Sequence, residues 1–380
     1  MKNVSYRDTW VEISLDAIQA NVKAFKNHIR KNSKMLAVVK ADGYGHGAVE
    51  VAKTAIKAGA DYLGVALLDE AIELRNAGIQ ESILVFGYTN PASVEEALKN
   101  NITLTVFDID TLQAIALAAE ALQKKAKIHF KIDTGMARIG VTTKEEALEL
   151  MEKTMSNLIE VEGIFTHFAD ADNIDDSYTR KQFTKFLEVT SFLKEKGYEI
   201  LIKHCCNSAA TISFPEMHLD MCRVGVSMYG LYPSEHMREK IKLTQAMTFK
   251  TKPIMIKKVK KGHPISYGRT YRPEHLATVA TLPVGYADGL SRQLSNRGNM
   301  TVKGVQVPIV GRICMDQTMI DVTKVEHITE TDVVTIFGDA NQGYISLDEV
   351  AGLLQTIHYE IVCLIGKRVP RMYVKDVVEF

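Results

Sequence analysis

The chain has 380 residues, 46% hydrophobic and 24% charged, which suits a soluble globular protein with room for one large and one smaller domain. Basic and acidic residues number 46 each, so the net charge is zero and no global field draws the chain to nucleic acid or to an anionic membrane. No apolar run approaches the ~20 residues of a membrane helix, MKNVSYRDTWVEISL lacks the apolar core of a signal peptide, and five cysteines without zinc-like spacing predict free thiols, no metal site and a reducing cytoplasm.

In chain order, WVEISL (10–15) reads as a strand with no helix ahead of it, and it is expected to pair with a C-terminal sheet. MLAVVK (35–40) is followed by the amphipathic GAVEVAKTAIKAGA (47–60). Apolar runs then begin near residues 62, 83, 102, 127, 160, 199 and 223. Most precede stretches with apolar residues at i, i+3 and i+4, among them 108–126, 143–155 and 175–197. The runs are too short for buried helices and rich in Val and Ile. About eight such βα units predict an α/β fold, an N-terminal (β/α)8 TIM-like barrel over residues 1–240. From residue 241 to 380 the texture changes to strands such as AMTFKTKPIMIKKV, with LDEVAGLLQTI (347–357) the one convincing helix, which predicts a smaller, mainly β domain. Lys257, Lys258, Lys260 and Lys261 form a local basic run that also reads as a solvated strand end.

Active-site groups of a (β/α)8 barrel sit at the C-terminal ends of its strands. The polar residues there are Lys40, then Lys131, Asp133 and Arg138, then His167, then His204, Asn207 and Ser208, then Arg223 with Gly225 and Val226. Lys40 is the informative one, because a lysine held at a barrel mouth can have a lowered pKa and form a Schiff base with an aldehyde. The glycines that follow, in Gly43-Tyr44-Gly45-His46-Gly47, serve equally as a phosphate cradle or as the turn that starts a helix. His167 also reads as a core histidine, Asn207-Ser208 as a helix cap, and Asp133 with Arg138 as a structural ion pair. Tyr267 and the segment around Cys314, Met315 and Asp316 are the notable features of the second domain. Residue chemistry alone thus points to a lysine-bearing barrel mouth without naming a reaction.

AVVKADGYGHG resembles the pyridoxal-phosphate attachment signature of alanine racemases. KIDTGMARIG, THFADAD, HCCNSAA, RVGVSMYGLYP, SYGRTY, PVGYADG, VGRICMDQTMIDV and HYEIVCLIGKRVPR are similar to that family's further motifs, in the family's order and over nearly the whole chain. The resemblance implies a cytoplasmic, pyridoxal 5'-phosphate-dependent homodimer with active sites shared between subunits. It would interconvert L- and D-alanine by a two-base mechanism and supply D-alanine for peptidoglycan. It further implies that Lys40 holds the cofactor covalently and acts as one acid/base, with Tyr267 of the partner subunit as the other. Tyr44, Asn207, Ser208, Gly225, Val226 and Tyr359 match cofactor-binding positions, most of them around the phosphate. Arg223 would face the pyridine nitrogen, His167 would link Arg223 to Tyr267, and Arg138 would contact the ring hydroxyl and the substrate. Met315 would bind the substrate carboxylate through its backbone N–H. Asp172, Tyr286 and Arg312 would line the substrate entrance, together with Tyr267 and Tyr359, and Lys131 matches a lysine often carbamylated. Asp170 departs from the pattern, standing where a small or neutral residue is usual.

Three other readings compete. A serine-directed or broad-specificity racemase would use the same scaffold. A basic amino-acid decarboxylase would share the lysine, yet its run of three glycines and its acidic partner to the pyridine nitrogen are absent. A non-catalytic pyridoxal-phosphate-binding protein would be a bare barrel without the second domain.

Overall fold

The computed structural model describes residues 6–154 and 156–375, so Met155, at the end of the stretch expected to be helical over 143–155, and the first five residues of the N-terminal stretch lie outside it. The chain divides into two compact units. The larger comprises Ile18–Gly43 and Gly47–Leu243, and the smaller takes in the described residues up to Ala17, Tyr44–His46, and those from Thr244 on.

The first strand, β1 (Thr9–Ser14), belongs to the smaller unit, and the next eight build the larger one. They are β2 (Lys34–Val38), β3 (Tyr62–Val65), β4 (Ile83–Val85), β5 (Thr103–Val106), β6 (Ala126–Lys131), β7 (Ile159–Phe165), β8 (Ile202–His204) and β9 (Met221–Val224). They form one parallel sheet in the order β8-β7-β6-β5-β4-β3-β2-β9. Its two ends meet through backbone bonds, from Asp220 N–H to the Lys203 carbonyl (3.1 Å) and from Arg223 N–H to the Cys206 carbonyl (3.1 Å). The sheet thereby closes on itself as the expected (β/α)8 barrel. Short strands of buried residues suffice because every ladder bond has a neighbour on both sides and helices cover the outside. Those helices obey local rules. Thr143 caps Lys144–Glu152 in a reciprocal box with Glu146, and Asp108 caps Ile109–Leu122 by accepting from Thr111 N–H.

Two barrel elements differ from the sequence reading. The run expected as a strand from residue 223 begins earlier, at Met221, and breaks at Gly225; Val226–Tyr229 is a tight helical turn ended by left-handed Gly230. The six-residue helix Ser208–Ser213 is too short to show a period, and only the cap reading of Asn207-Ser208 pointed to it.

The smaller unit holds β10 (Met247–Thr251), β11 (Met255–Val259), β12 (Ala277–Leu282), β13 (Asn299–Val302), β14 (Val305–Pro308), β15 (Thr318–Asp321), β16 (Val334–Phe337) and β17 (Arg371–Val374). They form a six-stranded sheet, β14-β13-β16-β10-β1-β17, and a three-stranded sheet, β11-β12-β15. β1 runs antiparallel to β10 and parallel to the edge strand β17, which places residues 9–14 inside the larger sheet, one strand from its edge. AMTFKTKPIMIKKV is two strands rather than one, parted at Pro253, whose nitrogen has no hydrogen to give a ladder. The unit also carries two helices where one was expected. Leu347–Leu354 ends at left-handed Gln355 and His358–Cys363 follows. Lys257, Lys258, Lys260 and Lys261 are exposed on β11 and the turn after it.

Candidate active site

Lys40 leaves the C-terminal end of β2 half-buried. The residues after it bend into an unusual turn, with Ala41, Asp42, Gly43 and Tyr44 all left-handed at φ 52°, 54°, 59° and 52°. For a side chain bearing Cβ that conformation costs about 1–2 kcal/mol per residue, so neighbours must hold it. Glu70 accepts the Ala41 N–H (2.6 Å) and the Ala66 N–H (2.7 Å), while Asp42 accepts the Ala48 N–H (2.9 Å) and ties the turn to the helix Ala48–Lys57. Gly47, also left-handed, is spent on starting that helix.

Around the same end of the barrel stand Lys131 closing β6, His167 just past β7, His204 closing β8 and Arg223 on β9. Arg223 is buried. It donates from Nη1 to His204 Nδ1 (2.9 Å) and from Nη2 to the carbonyls of Thr166 and Cys205 (2.9 Å each), and its Nη2 lies 3.3 Å from His167 Nδ1. Phe165 is the platform beneath: Lys131 Nζ sits 4.4 Å and Arg223 Cζ 5.4 Å from its ring centre, and the His204 ring stacks on it at 4.7 Å.

The charges converge without cancelling. Burial, then Arg223, Lys131, Arg138 and Lys40 in turn, push the His167 imidazolium well below the usual histidine range. Burial, then Arg223 and Arg138, lower the Lys131 ammonium well below the usual lysine range, against a raising pull from Asp133. Asp133 is not the ion-pair partner of Arg138 that the sequence suggested. Its carboxylate accepts the backbone N–H groups of Gly135 (2.8 Å), Ala137 (3.1 Å) and Arg138 (2.9 Å). Burial works to raise its pKa, but those bonds hold it below the ordinary carboxylate range. The Arg138 side chain is exposed.

Ser208 is buried, and its Oγ accepts the Gly225 N–H (2.9 Å), which leaves the hydroxyl hydrogen free to be given elsewhere. Asn207 caps the helix Ser208–Ser213 through Oδ1, which accepts the Ala210 N–H (3.0 Å). That oxygen therefore answers to the helix, as the cap reading of Asn207 expects. Val226 is buried next to Gly225. Asp172 is exposed in the loop after β7, where Asp170 accepts from Asn173 Nδ2 (3.0 Å).

In the smaller unit, the loops bearing Tyr267, Tyr286 and Arg312–Met315 interlock. Ser266 Oγ donates to the Arg312 carbonyl (2.5 Å), Tyr286 N–H to the Cys314 carbonyl (3.0 Å) and Ala287 N–H to the Met315 carbonyl (3.1 Å). A Cβ on Gly268 would stand 3.1 Å from Arg312 Cζ. The turn carrying Tyr286 is anchored by Asp288, whose fully buried carboxylate takes Arg7 and Arg368 at 2.7 Å each. Tyr267 is 70% exposed and Met315 53%, large apolar surfaces for an isolated chain to leave in water. Tyr44 and Tyr359, also in this unit, have ring centres 6.4 Å apart.

Sequence reasoning missed Phe165, Glu70, Asp42 and the partners of His204, namely His129 and, beyond it, Glu162. Of these only His129 gave a signal, a faint one: a polar residue inside an apolar strand run. Among the described residues no group of three or more His, Cys, Asp or Glu could hold a metal, and no helix is long and apolar enough to cross a membrane.

Residues 13–233 match the family model of the alanine racemase N-terminal domain, and residues 246–373 that of the alanine racemase C-terminal domain. The chain is 59% identical over 376 residues to "Alanine racemase 1" of Oceanobacillus iheyensis, covering 98% of this chain and 100% of that one. It superposes on the alanine racemase of Clostridium difficile 630 with a TM-score of 0.94 at 42% identity, over 98% and 97% of the two chains. The histidine racemase of Leuconostoc mesenteroides shares the fold more distantly, with a TM-score of 0.90 at 28% identity over 99% and 100%. The racemase motifs first seen in the sequence, the barrel with its lysine-bearing mouth and these likenesses over nearly its full length agree: the chain belongs to the alanine racemase family of isomerases.

Proposed function

We propose that the chain interconverts L- and D-alanine with pyridoxal 5'-phosphate, using Lys40 and the partner subunit's Tyr267 as two bases, and that the D-alanine serves peptidoglycan. The observation that carries this is the barrel mouth, where Lys40, Lys131, Arg138 and Arg223 all bear on His167 while Asp133, the carboxylate beside them, is engaged by backbone N–H groups. Such a donor set suits a phosphorylated anion that carries an aldehyde for an amine. When bound, pyridoxal phosphate supplies that aldehyde and a ring able to take up negative charge from the substrate's α-carbon.

Lys40 holds the cofactor covalently. Ser208, the backbone of Gly225 and Val226, Tyr44 and Tyr359 bind its phosphate. Arg223 faces the ring nitrogen, and because a guanidinium only donates, a nitrogen held by it stays unprotonated. Arg138 holds the ring hydroxyl and the substrate side, and the backbone N–H of the partner's Met315 binds the substrate carboxylate. Asp172, Tyr286 and Arg312 line the entrance. Racemisation removes a proton from one face of the α-carbon and returns one to the other, so two bases on opposite faces are the economical solution. A site built from two chains also accounts for the exposed Tyr267 and Met315, which a homodimer would cover.

Lys131 is proposed to be carbamylated. Burial and the flanking cations favour the neutral, nucleophilic form of its amine, which would add carbon dioxide and lose a proton, and the resulting carbamate would give Arg138 an anionic partner. Protein equilibrated with 13C-bicarbonate is expected to show one carbamate carbon resonance that Lys131→Ala lacks. A spectrum without that resonance removes the assignment.

The reaction is tested with L-alanine in heavy water: α-deuterated D-alanine is expected, and a cofactor-loaded protein that leaves the α-hydrogen in place overturns the reading. The likeness to a histidine racemase favours one second reading, a racemase of broader scope. Serine and histidine run beside alanine separate the two, and alanine is expected to have the highest kcat/KM because Tyr267 and Tyr359 crowd the space for a side chain.

A further inference from the structure

Arg223 is a buried cation without a direct counter-ion: among the described residues no carboxylate lies within ion-pair distance of it. Desolvating such a charge costs several kcal/mol unless something answers it. The first carboxylate reached through its hydrogen bonds is Glu162, two imidazoles away. Arg223 Nη1 meets His204 Nδ1 at 2.9 Å, His204 Nε2 meets His129 Nδ1 at 2.9 Å, and His129 Nε2 meets Glu162 Oε2 at 3.2 Å.

The proton order along this path is dictated at both ends. A guanidinium can only donate, so His204 Nδ1 carries a lone pair and its proton is on Nε2. His129 Nδ1 must then accept, its proton is on Nε2, and Glu162 closes the chain as a carboxylate. Both rings are neutral, in keeping with burial lowering each imidazolium. Glu162 is well supplied with other donors, Tyr62 at 2.5 Å and Lys127 at 2.7 Å. Burial would raise its pKa, but His129, Lys127 and Tyr62 together bring it down to about 2, so it is anionic throughout the physiological range.

The barrel is locally modified to make room for this path. Between β6 and β7 the register slips, Ile128 pairing with Val161 but His129 with Gly163, so Glu162 is the extra residue of a bulge. A bulge re-aims a side chain that the ordinary alternation would point elsewhere. Gly163, next in line, leaves the space the His129 ring fills, since a Cβ there would lie 2.5 Å from His129 Cε1.

We infer that Glu162, His129 and His204 are positioning residues for racemisation: a one-way hydrogen-bonded relay that answers the buried charge of Arg223 and fixes the guanidinium at the barrel mouth. The recorded bonds of Arg223 engage Nη1 and Nη2, and the relay thereby sets where Nε–H is directed. The inference rests on the reading of Arg223 as the donor to the cofactor's ring nitrogen.

The test is nitrogen-15 NMR of the full chain labelled at histidine, with and without pyridoxal phosphate, compared with Glu162→Gln. In the wild type both rings are expected as the neutral Nε2–H tautomer; an Nδ1–H ring or an imidazolium at either residue overturns the relay. In Glu162→Gln the amide can itself donate, so His204, which Glu162 does not touch, is expected to lose its single tautomer. The kcat for alanine is expected to fall roughly tenfold while KM moves less than about twofold, the behaviour of a lost supporting partner. A His204 signal and a kcat both unmoved in a folded Glu162→Gln protein overturn the relay, and should that variant not fold, the wild-type tautomers decide. Failure of the wild type to take up pyridoxal phosphate would overturn the proposed function instead, which the cofactor-free tautomers distinguish.

Discussion

Lys40→Ala is expected to lower kcat/KM for alanine racemisation by about 10⁴-fold or more, because one substitution removes both the covalent hold on the cofactor and one of two proton-transferring groups. The fold should survive. Lys40 is half-buried beyond the end of β2, and Glu70 and Asp42 hold the turn after it. Borohydride reduction of the loaded wild type, followed by peptide mapping, should place the cofactor on the peptide bearing Lys40, and the variant should yield no labelled peptide. A variant that still racemises alanine within tenfold of wild type would remove Lys40 from its role.

Tyr267→Phe is expected to cost about 10²–10⁴-fold in kcat/KM, the range for loss of a positioned acid/base. The two enantiomers have equal free energies, so the loss must be equal in both directions. What need not be equal is hydrogen exchange. The enantiomer whose α-hydrogen faces Lys40 should still exchange with heavy water and return unchanged in configuration, faster than it inverts. Exchange reduced as much as inversion for both enantiomers would argue against a base on each face. Since Tyr267 lies 70% exposed on the isolated chain, loss of its hydroxyl disturbs no core. Mixing Lys40→Ala chains with Tyr267→Phe chains tests whether a site draws on two subunits. Random pairing gives half the dimers mixed, each with one intact site, so activity near about a quarter of wild type is expected. No recovery would mean that each site is built within one chain.

The barrel was legible because eight strands, each buried on both faces, must be continuous apolar runs, and the helices between them must be one-sided. MLAVVK and KIHFKID announce β2 and β6 for that reason. The helices Ser208–Ser213 and His358–Cys363 were not legible from periodicity, each at six residues spanning too few turns to show a period. The polar residues of the barrel mouth were legible from strand ends and motifs, at Lys40, Arg138, His167, Ser208 and Arg223. Its supports were not. His129 looks like a polar interruption of an apolar strand, and only the closed barrel brings it into hydrogen-bond range of His204, 75 positions away. Glu162 was hidden further, since period-two counting gives the wrong facing for a residue in a bulge.

The turn that follows Lys40 has a stereochemical side. Ala41, at φ 52° and ψ 52°, holds the mirror image of the backbone geometry that an L-residue adopts in a helix. The crowding of its Cβ against the following carbonyl is a property of its handedness, and a D-alanine would sit there without it. The lysine proposed to act on the α-hydrogen of alanine is thus bonded to an alanine bent into the conformational territory of its own enantiomer. Ribosomal synthesis supplies only the L-form, so a chain that is to make D-alanine carries beside its reactive amine a residue for which the product would be the more comfortable fit.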